Sequence, residues 1–233
     1  MTPTNAVVGI AVEAHGLYHI YREREVETVA LRGTEVTLHS GSWTSLVGPS
    51  GCGKSTLVHV LAGLLEPSGG SVLIDGEDIT RLSSNDRAIR RRRRVGVVLQ
   101  RQNLHPLLSV GDNVSLPLRL DGQTARDAEV RVEQLLDSVD LAELIGQPVR
   151  TLSGGEAQRV AIAVALAPRP AVLLADELTG ELDEETTETV LDVLDEMRNR
   201  ERTAILTVTH NPAVAARSDR QLAMRDGVLI DAG

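Results

Sequence analysis

Gly48-Pro49-Ser50-Gly51-Cys52-Gly53-Lys54-Ser55-Thr56 fits the pattern Gly-x-x-x-x-Gly-Lys-[Ser/Thr]. It follows the strand-like run Trp43 to Val47 and precedes an apolar stretch, Leu57 to Leu65, of helical character. That setting decides the fold. Phosphates need backbone donors at close range, glycines let the main chain approach, and a following helix start adds free N–H groups and a positive dipole end. Lys54 then supplies a point charge for the β- and γ-phosphates of a nucleotide, and the Ser55 hydroxyl is placed to hold Mg2+.

Outward from this loop the chain alternates strand and helix signals. Val7 to Leu38 carries short apolar and polar alternation broken by Arg22 to Glu27, which predicts antiparallel strands with a hairpin-like excursion. Ser71 to Gly76 predicts a strand ending in an Asp-Gly turn, and Asp86 to Arg94 a basic helix feeding a strand at Val95 to Leu99. Gln100 to Gly122 shows little periodicity and holds Pro106, Gly111 and Pro117, so it is expected to be an irregular surface that binds something. Thr124 and Asp127 have capping-box spacing before a helix with Val130, Leu135, Leu136 and Val139 on its apolar side. A further helix is expected over Leu152 to Ala167, buried strands at Ala171 to Ala175 and Ala204 to Val208, and a helix over Glu184 to Arg200 between them. Gln221 to Ile230 predicts a hairpin on Asp226-Gly227.

Composition narrows the function. At 233 residues the chain can bury a full core. A net charge of −9 and an absence of Phe, with only Trp43, Tyr18 and Tyr21 as aromatics, argue against nucleic acid as a partner. Arg90 to Arg94 form a basic run, expected to be a solvated helix end, with anionic lipid headgroups as the sharper possibility. Cys52 is the only cysteine, so neither an intrachain disulfide nor a cysteine metal site is expected. No stretch has the length or apolarity of a membrane span, and a cytosolic location is expected.

Two more segments carry chemistry. Val172 to Glu177 is a buried-strand pattern ending in adjacent carboxylates: Asp176 would face the magnesium, and Glu177 would orient or deprotonate the attacking water. Leu152-Ser153-Gly154-Gly155-Glu156 opens a helix with a second anion cradle. Two cradles with one phosphate-loop lysine suggest a two-fold dimer in which Ser153 of each copy covers the nucleotide of the other.

Gly48 to Thr56, Leu152 to Glu156, Leu174 to Glu177 and Thr209-His210, in this order and spacing, resemble the ATP-binding subunit of ABC transporters, over nearly the whole chain. Arg22 to Leu31, Thr179 to Asp183 and Arg220 to Gly227 look most like the lipoprotein-release and macrolide-export group. The resemblance implies an α/β fold: one ABC-type P-loop ATPase domain over 1–233, with a mostly parallel core sheet, an N-terminal antiparallel β subdomain and an inserted helical subdomain near 101–167. It implies ATP and Mg2+ as ligands, a second copy and an integral membrane permease as partners, and a place on the cytoplasmic face of the membrane. By the same resemblance Tyr21 stacks on adenine, with Tyr18 close enough to compete. Gln100 contacts magnesium and water, Asp183 communicates across the dimer, and His210 meets the γ-phosphate. The segment Arg101 to Leu118, with Leu104, Leu107 and Leu108, resembles the region that receives the permease. Leu178, Leu99, Ala157 and Val164 depart from the family's usual residues, and Leu178, where proline is usual, is expected to leave the turn after Glu177 less pre-organised. The alternative reading is a regulatory ATPase whose membrane partner signals to cell-wall enzymes.

Overall fold

The computed structural model describes residues 9–24, 26–99, 104–180 and 182–231. Strands β1 (Ile10–Glu23) and β2 (Val26–His39) form the long antiparallel hairpin expected from the alternating N-terminal pattern. With β4 (Gly69–Ile74) and β5 (Glu77–Asp78) they make a four-stranded sheet in the order β2-β1-β4-β5. A six-stranded sheet runs β10-β9-β3-β8-β7-β6, formed by β3 (Trp43–Val47), β6 (Val95–Val98), β7 (Val172–Asp176), β8 (Ala204–Val208), β9 (Arg220–Arg225) and β10 (Val228–Asp231). Its pairs are parallel except β9 with β10.

Period-two alternation on the central strands explains why they are apolar throughout: each feeds two cores. Val172 and Leu174 join Leu206 and Leu46 in the core around α1 (Lys54–Leu61), which lies between the two sheets. Leu173, Ala175 and Ile205 join Trp43 in the opposite core, covered by α5 (Gly154–Leu166) and α6 (Glu184–Arg200). Between β6 and β7, α3 (Val110–Leu120), α4 (Ala125–Ser138) and α5 pack on one another.

The breaker-rich segment is more regular than its sequence suggests. Val110, Val114 and Leu118 lie at helical spacing on the buried side of α3, Ser109 caps it at Asp112, and Pro117 is carried inside its last turn. Burial of that stripe outweighs the hydrogen bond the proline removes. Leu104 packs on the core whereas Leu107 is exposed. In α4 the buried face uses Ala128, Val132, Leu135 and Leu136, and Val130 faces outward, correcting its expected place.

The arginine run is not a free basic patch. On α2 (Ser84–Arg94), Arg90 pairs with Glu77 and donates to the Ile74 carbonyl, and Arg91 donates to the Gly63 carbonyl. Arg92 and Arg93 both bind Asp121 at the end of α3, and Arg94 binds Asp75. Their charge is spent joining α2 to the antiparallel sheet and to α3, which leaves little for lipid headgroups. Hydrogen bonds from Arg93 and then Arg92 hold the Asp121 carboxyl below the usual range. A depressed carboxylate stabilises the folded chain above its unfolded pKa, near 4, and loses that contribution as pH falls through the lower folded value. Asp121→Asn is therefore expected to melt below wild type at pH 7 and to converge with it near pH 3 in scanning calorimetry. A gap unchanged with pH would remove the ion pairs from the stability of this junction.

Candidate functional site

The phosphate loop is clasped from both sides. At Gly48, φ is +152° and a Cβ would lie 2.3 Å from the Met224 carbonyl oxygen of β9. At Gly53, φ is +110° and a Cβ would lie 2.3 Å from the Ala30 oxygen of β2. No side chain could occupy either position, so the loop is pinned between the two sheets by its glycines. Gly51, between them, faces open space. Gly53 caps α1 without a side-chain hydrogen bond, so the first-turn N–H groups of this helix are not taken by a cap. By contrast Ser83, Ser109, Thr124, Ser153, Asp183 and Asn211 cap the helices that follow them.

Lys54 is buried with its ammonium donating to the carbonyls of Gly48 and Pro49, each at 2.8 Å. Cys52 is buried beside it, its Sγ 3.9 Å from Lys54 Nζ. A cleft of about 350 Å³ opens above, lined by Gly51 to Thr56, Tyr21, Thr28 to Ala30, Arg32, Asp226 and Gly227. Tyr21, not Tyr18, faces this cleft: its hydroxyl is 3.3 Å from Thr56 Oγ1, and the buried His19 ring meets it edge-on at 4.6 Å. Tyr18 is half exposed beside Gly33. Sequence reasoning missed Arg32 and the Asp226-Gly227 turn as cleft walls. Gly227 N donates to the Cys52 carbonyl at 2.9 Å, a contact between segments far apart in the chain for which the hairpin signal gave no hint.

Asp176 ends β7, two strands from β3, with Glu177 and Leu178 following. Glu177 has φ +58°, a left-handed conformation that costs a non-glycine residue about 1–2 kcal/mol. Its N–H donates to the Val208 carbonyl at 3.0 Å, and its carboxylate lies 3.8 Å from His210 Nε2. Leu178 does not loosen this turn. It is buried in the core, and burial of its side chain does the anchoring that a proline ring would do by fixing φ. Ser55 and Asp176 offer hard oxygen donors that suit Mg2+, a metal that takes one or two protein oxygens and completes its shell with water and phosphate. Consistent with so sparse a set, no group of three or more His, Cys, Asp or Glu among the described residues could hold a metal. Gln100 lies outside the described residues.

The second cradle is elsewhere. Ser153 caps α5 in a closed capping box: its Oγ accepts from Glu156 N and donates to the Glu156 carboxylate, which also accepts from Ser153 N at 2.8 Å. Those bonds hold the Glu156 carboxyl below its usual range. Ser153 and Gly154 are exposed and, with Gly155 and Glu156, stand outside the wall of the Lys54 cleft. Asp183 is exposed and caps α6 through Thr186 N at 2.8 Å.

A glycine loop pinned for phosphate, a buried lysine, and carboxylates ending a neighbouring strand two places away are built around phosphate and water, which defines the class as a P-loop nucleoside triphosphatase. Comparison with known proteins gives the family. The ABC transporter family matches residues 31–180, and the chain belongs to it, among its ATP-binding ATPase subunits. It is 42% identical over 221 residues to the lipoprotein-releasing system ATP-binding protein LolD of Hyphomonas neptunium, covering 94% of this chain and 96% of that one. It is 41% identical over 218 residues to the methionine import ATP-binding protein MetN 2 of Pseudomonas aeruginosa, covering 93% of this chain and 64% of that one. The fold superposes with a TM-score of 0.89 on the dimeric post-hydrolysis structure of the ATP-binding cassette MJ0796 bound to ADP and Pi. That match has 31% identity and covers 95% of this chain and 99% of the other. The resemblance to the lipoprotein-release group read from the sequence agrees with the first of these relatives.

Proposed function

We propose that two copies of this chain close around two ATP molecules, hydrolyse them, and pass the closure to a separate integral membrane permease at the cytoplasmic face. The observation that carries the two-copy arrangement is the placement of the second cradle: Ser153 and Gly154 are exposed and do not line the cleft of Lys54. A dimeric relative holding ADP and Pi supports the same reading, and the relatives named for lipoprotein release and methionine import support transport rather than regulation. Residues 101–167 would form the inserted helical subdomain that meets the permease.

In this reading Tyr21 stacks on adenine, and the backbone of Gly48 to Thr56 receives the phosphates. Lys54 exchanges its two carbonyl partners for phosphate oxygens, a charge-assisted replacement. Ser55 and Asp176 would hold Mg2+, with Gln100 beside it, and the ion when bound neutralises charge on the β- and γ-phosphates. Glu177 accepts a proton from water as the water oxygen bonds to the γ-phosphorus, and the bond to the β,γ-bridging oxygen breaks to leave ADP and phosphate. His210, 3.8 Å from Glu177, contacts the γ-phosphate. Glycines 154 and 155, with Ser153, Glu156 and Asp183, complete the site of the other copy.

No helix among the described residues is long and apolar enough to cross a membrane, so membrane attachment in this reading comes through the permease. Affinity purification of the chain from native membranes is expected to bring down an integral membrane protein whose presence raises phosphate release. If nothing membrane-embedded accompanies it, the transport reading fails.

A further inference from the structure

We propose that Gln158 is a positioning residue for hydrolysis: by donating to the Leu178 carbonyl it fixes the turn that aims Glu177. The proposal rests on the reading of Glu177 as the base. Gln158 lies on α5 with only 1% of its surface exposed, and its Nε2 is 3.1 Å from the Leu178 oxygen. A polar amide in an apolar core is costly unless its hydrogen bonds are made, and a leucine would fill similar volume without that demand. What the amide does here is specific. It grips the peptide immediately after Glu177, at a turn whose left-handed backbone at φ +58° needs the surrounding structure to hold it.

The turn is gripped on both sides of the carboxylate. Upstream, the Glu177 N–H is fixed to the Val208 carbonyl of β8 at 3.0 Å. Downstream, Gln158 fixes the Leu178 carbonyl, and Asn211 Nδ2 donates to Thr179 Oγ1 at 3.2 Å. The β8 and Asn211 contacts come from segments flanking His210, so they set the spacing of the Glu177–His210 pair. The Gln158 contact alone comes from α5, the helix whose start is the Ser153 cradle, and so ties the aim of Glu177 to the seating of that helix.

The variants Gln158→Leu, Gln158→Glu and Glu177→Gln of the full chain separate the possibilities, with phosphate release measured against ATP concentration from pH 6 to 9 and melting temperature measured alongside. Gln158→Leu is expected to lower kcat about 10- to 100-fold, the size of effect that a small misplacement of a reacting group produces. Its KM for ATP is expected to stay within about twofold of wild type, since no contact to nucleotide is removed. In Gln158→Glu the new carboxyl can donate to the Leu178 carbonyl only when protonated, so its kcat relative to wild type should recover as pH falls. A residue that merely filled the core would show neither the split between kcat and KM nor that pH profile. Wild-type kcat in Gln158→Leu, beside an inactive Glu177→Gln, overturns the positioning role and leaves Glu177 standing. Wild-type kcat in Glu177→Gln overturns the reading of Glu177 and this inference with it. If Gln158→Leu fails to fold, a pH-independent kcat ratio for Gln158→Glu overturns the positioning role.

Discussion

Glu177→Gln is expected to release phosphate about 10²–10⁴-fold more slowly than wild type, the range a general base supplies, while ATP still binds and drives two copies together. The amide keeps the shape of the carboxylate and can still hydrogen-bond water, but it cannot take the proton. Nothing else in the fold should suffer. The anchors of this residue are its backbone N–H on Val208 and the burial of Leu178, neither of which involves the carboxylate. The one ion pair lost, with His210 at 3.8 Å, joins two partly exposed groups and adds little to stability. The variant should therefore melt with wild type and, given ATP and magnesium, elute as a dimer that persists because its ATP is not consumed. Phosphate release and light scattering on the same samples check both halves. Equal rates for variant and wild type would mean that another group activates the water.

Much of this site was legible because its signals are local. The phosphate loop, the strand Val172 to Asp176 and the start of α5 each pair a short apolar run with a turn or cap chemistry that has few other uses. What sequence missed depends on contacts far apart in the chain. The helix α3 was hidden by Gly111 and Pro117, although Val110, Val114 and Leu118 carry its period. The arginine run looked solvated because its partners, Asp75, Glu77 and Asp121, are scattered along the chain. Arg131 is buried, where it donates to the Leu166 carbonyl at the end of α5 and pairs with Glu201 at 2.9 Å; no local pattern marks an arginine for the interior. Burial pulls the guanidinium pKa down and Glu201 opposes it, and a pair of this kind is tolerated only because both ends are satisfied.

Ser153→Arg is expected to abolish ATP-driven dimerisation while the monomer still binds ATP within about twofold of wild type. The serine contributes locally by capping α5, and losing a cap costs about 1 kcal/mol, so Ser153→Ala serves as the control for that loss. Arginine adds bulk at an exposed position that does not line the cleft of Lys54, so it should block a second copy without touching the first nucleotide. Made in the Glu177→Gln background, which preserves bound ATP, the change should turn a stable dimer into a monomer. Mixing supplies the stricter test. Lys54→Ala removes the phosphate contact of one cradle and Ser153→Arg spoils the other, so each variant alone has no intact site. If the site is shared, a mixed dimer restores one, built from Lys54 of the Ser153→Arg copy and Ser153 of the Lys54→Ala copy, and phosphate release reappears on mixing. If both cradles belong to a single copy, mixing restores nothing and the Ser153→Arg monomer loses its affinity for ATP, because the same residue would then hold the nucleotide that Lys54 holds.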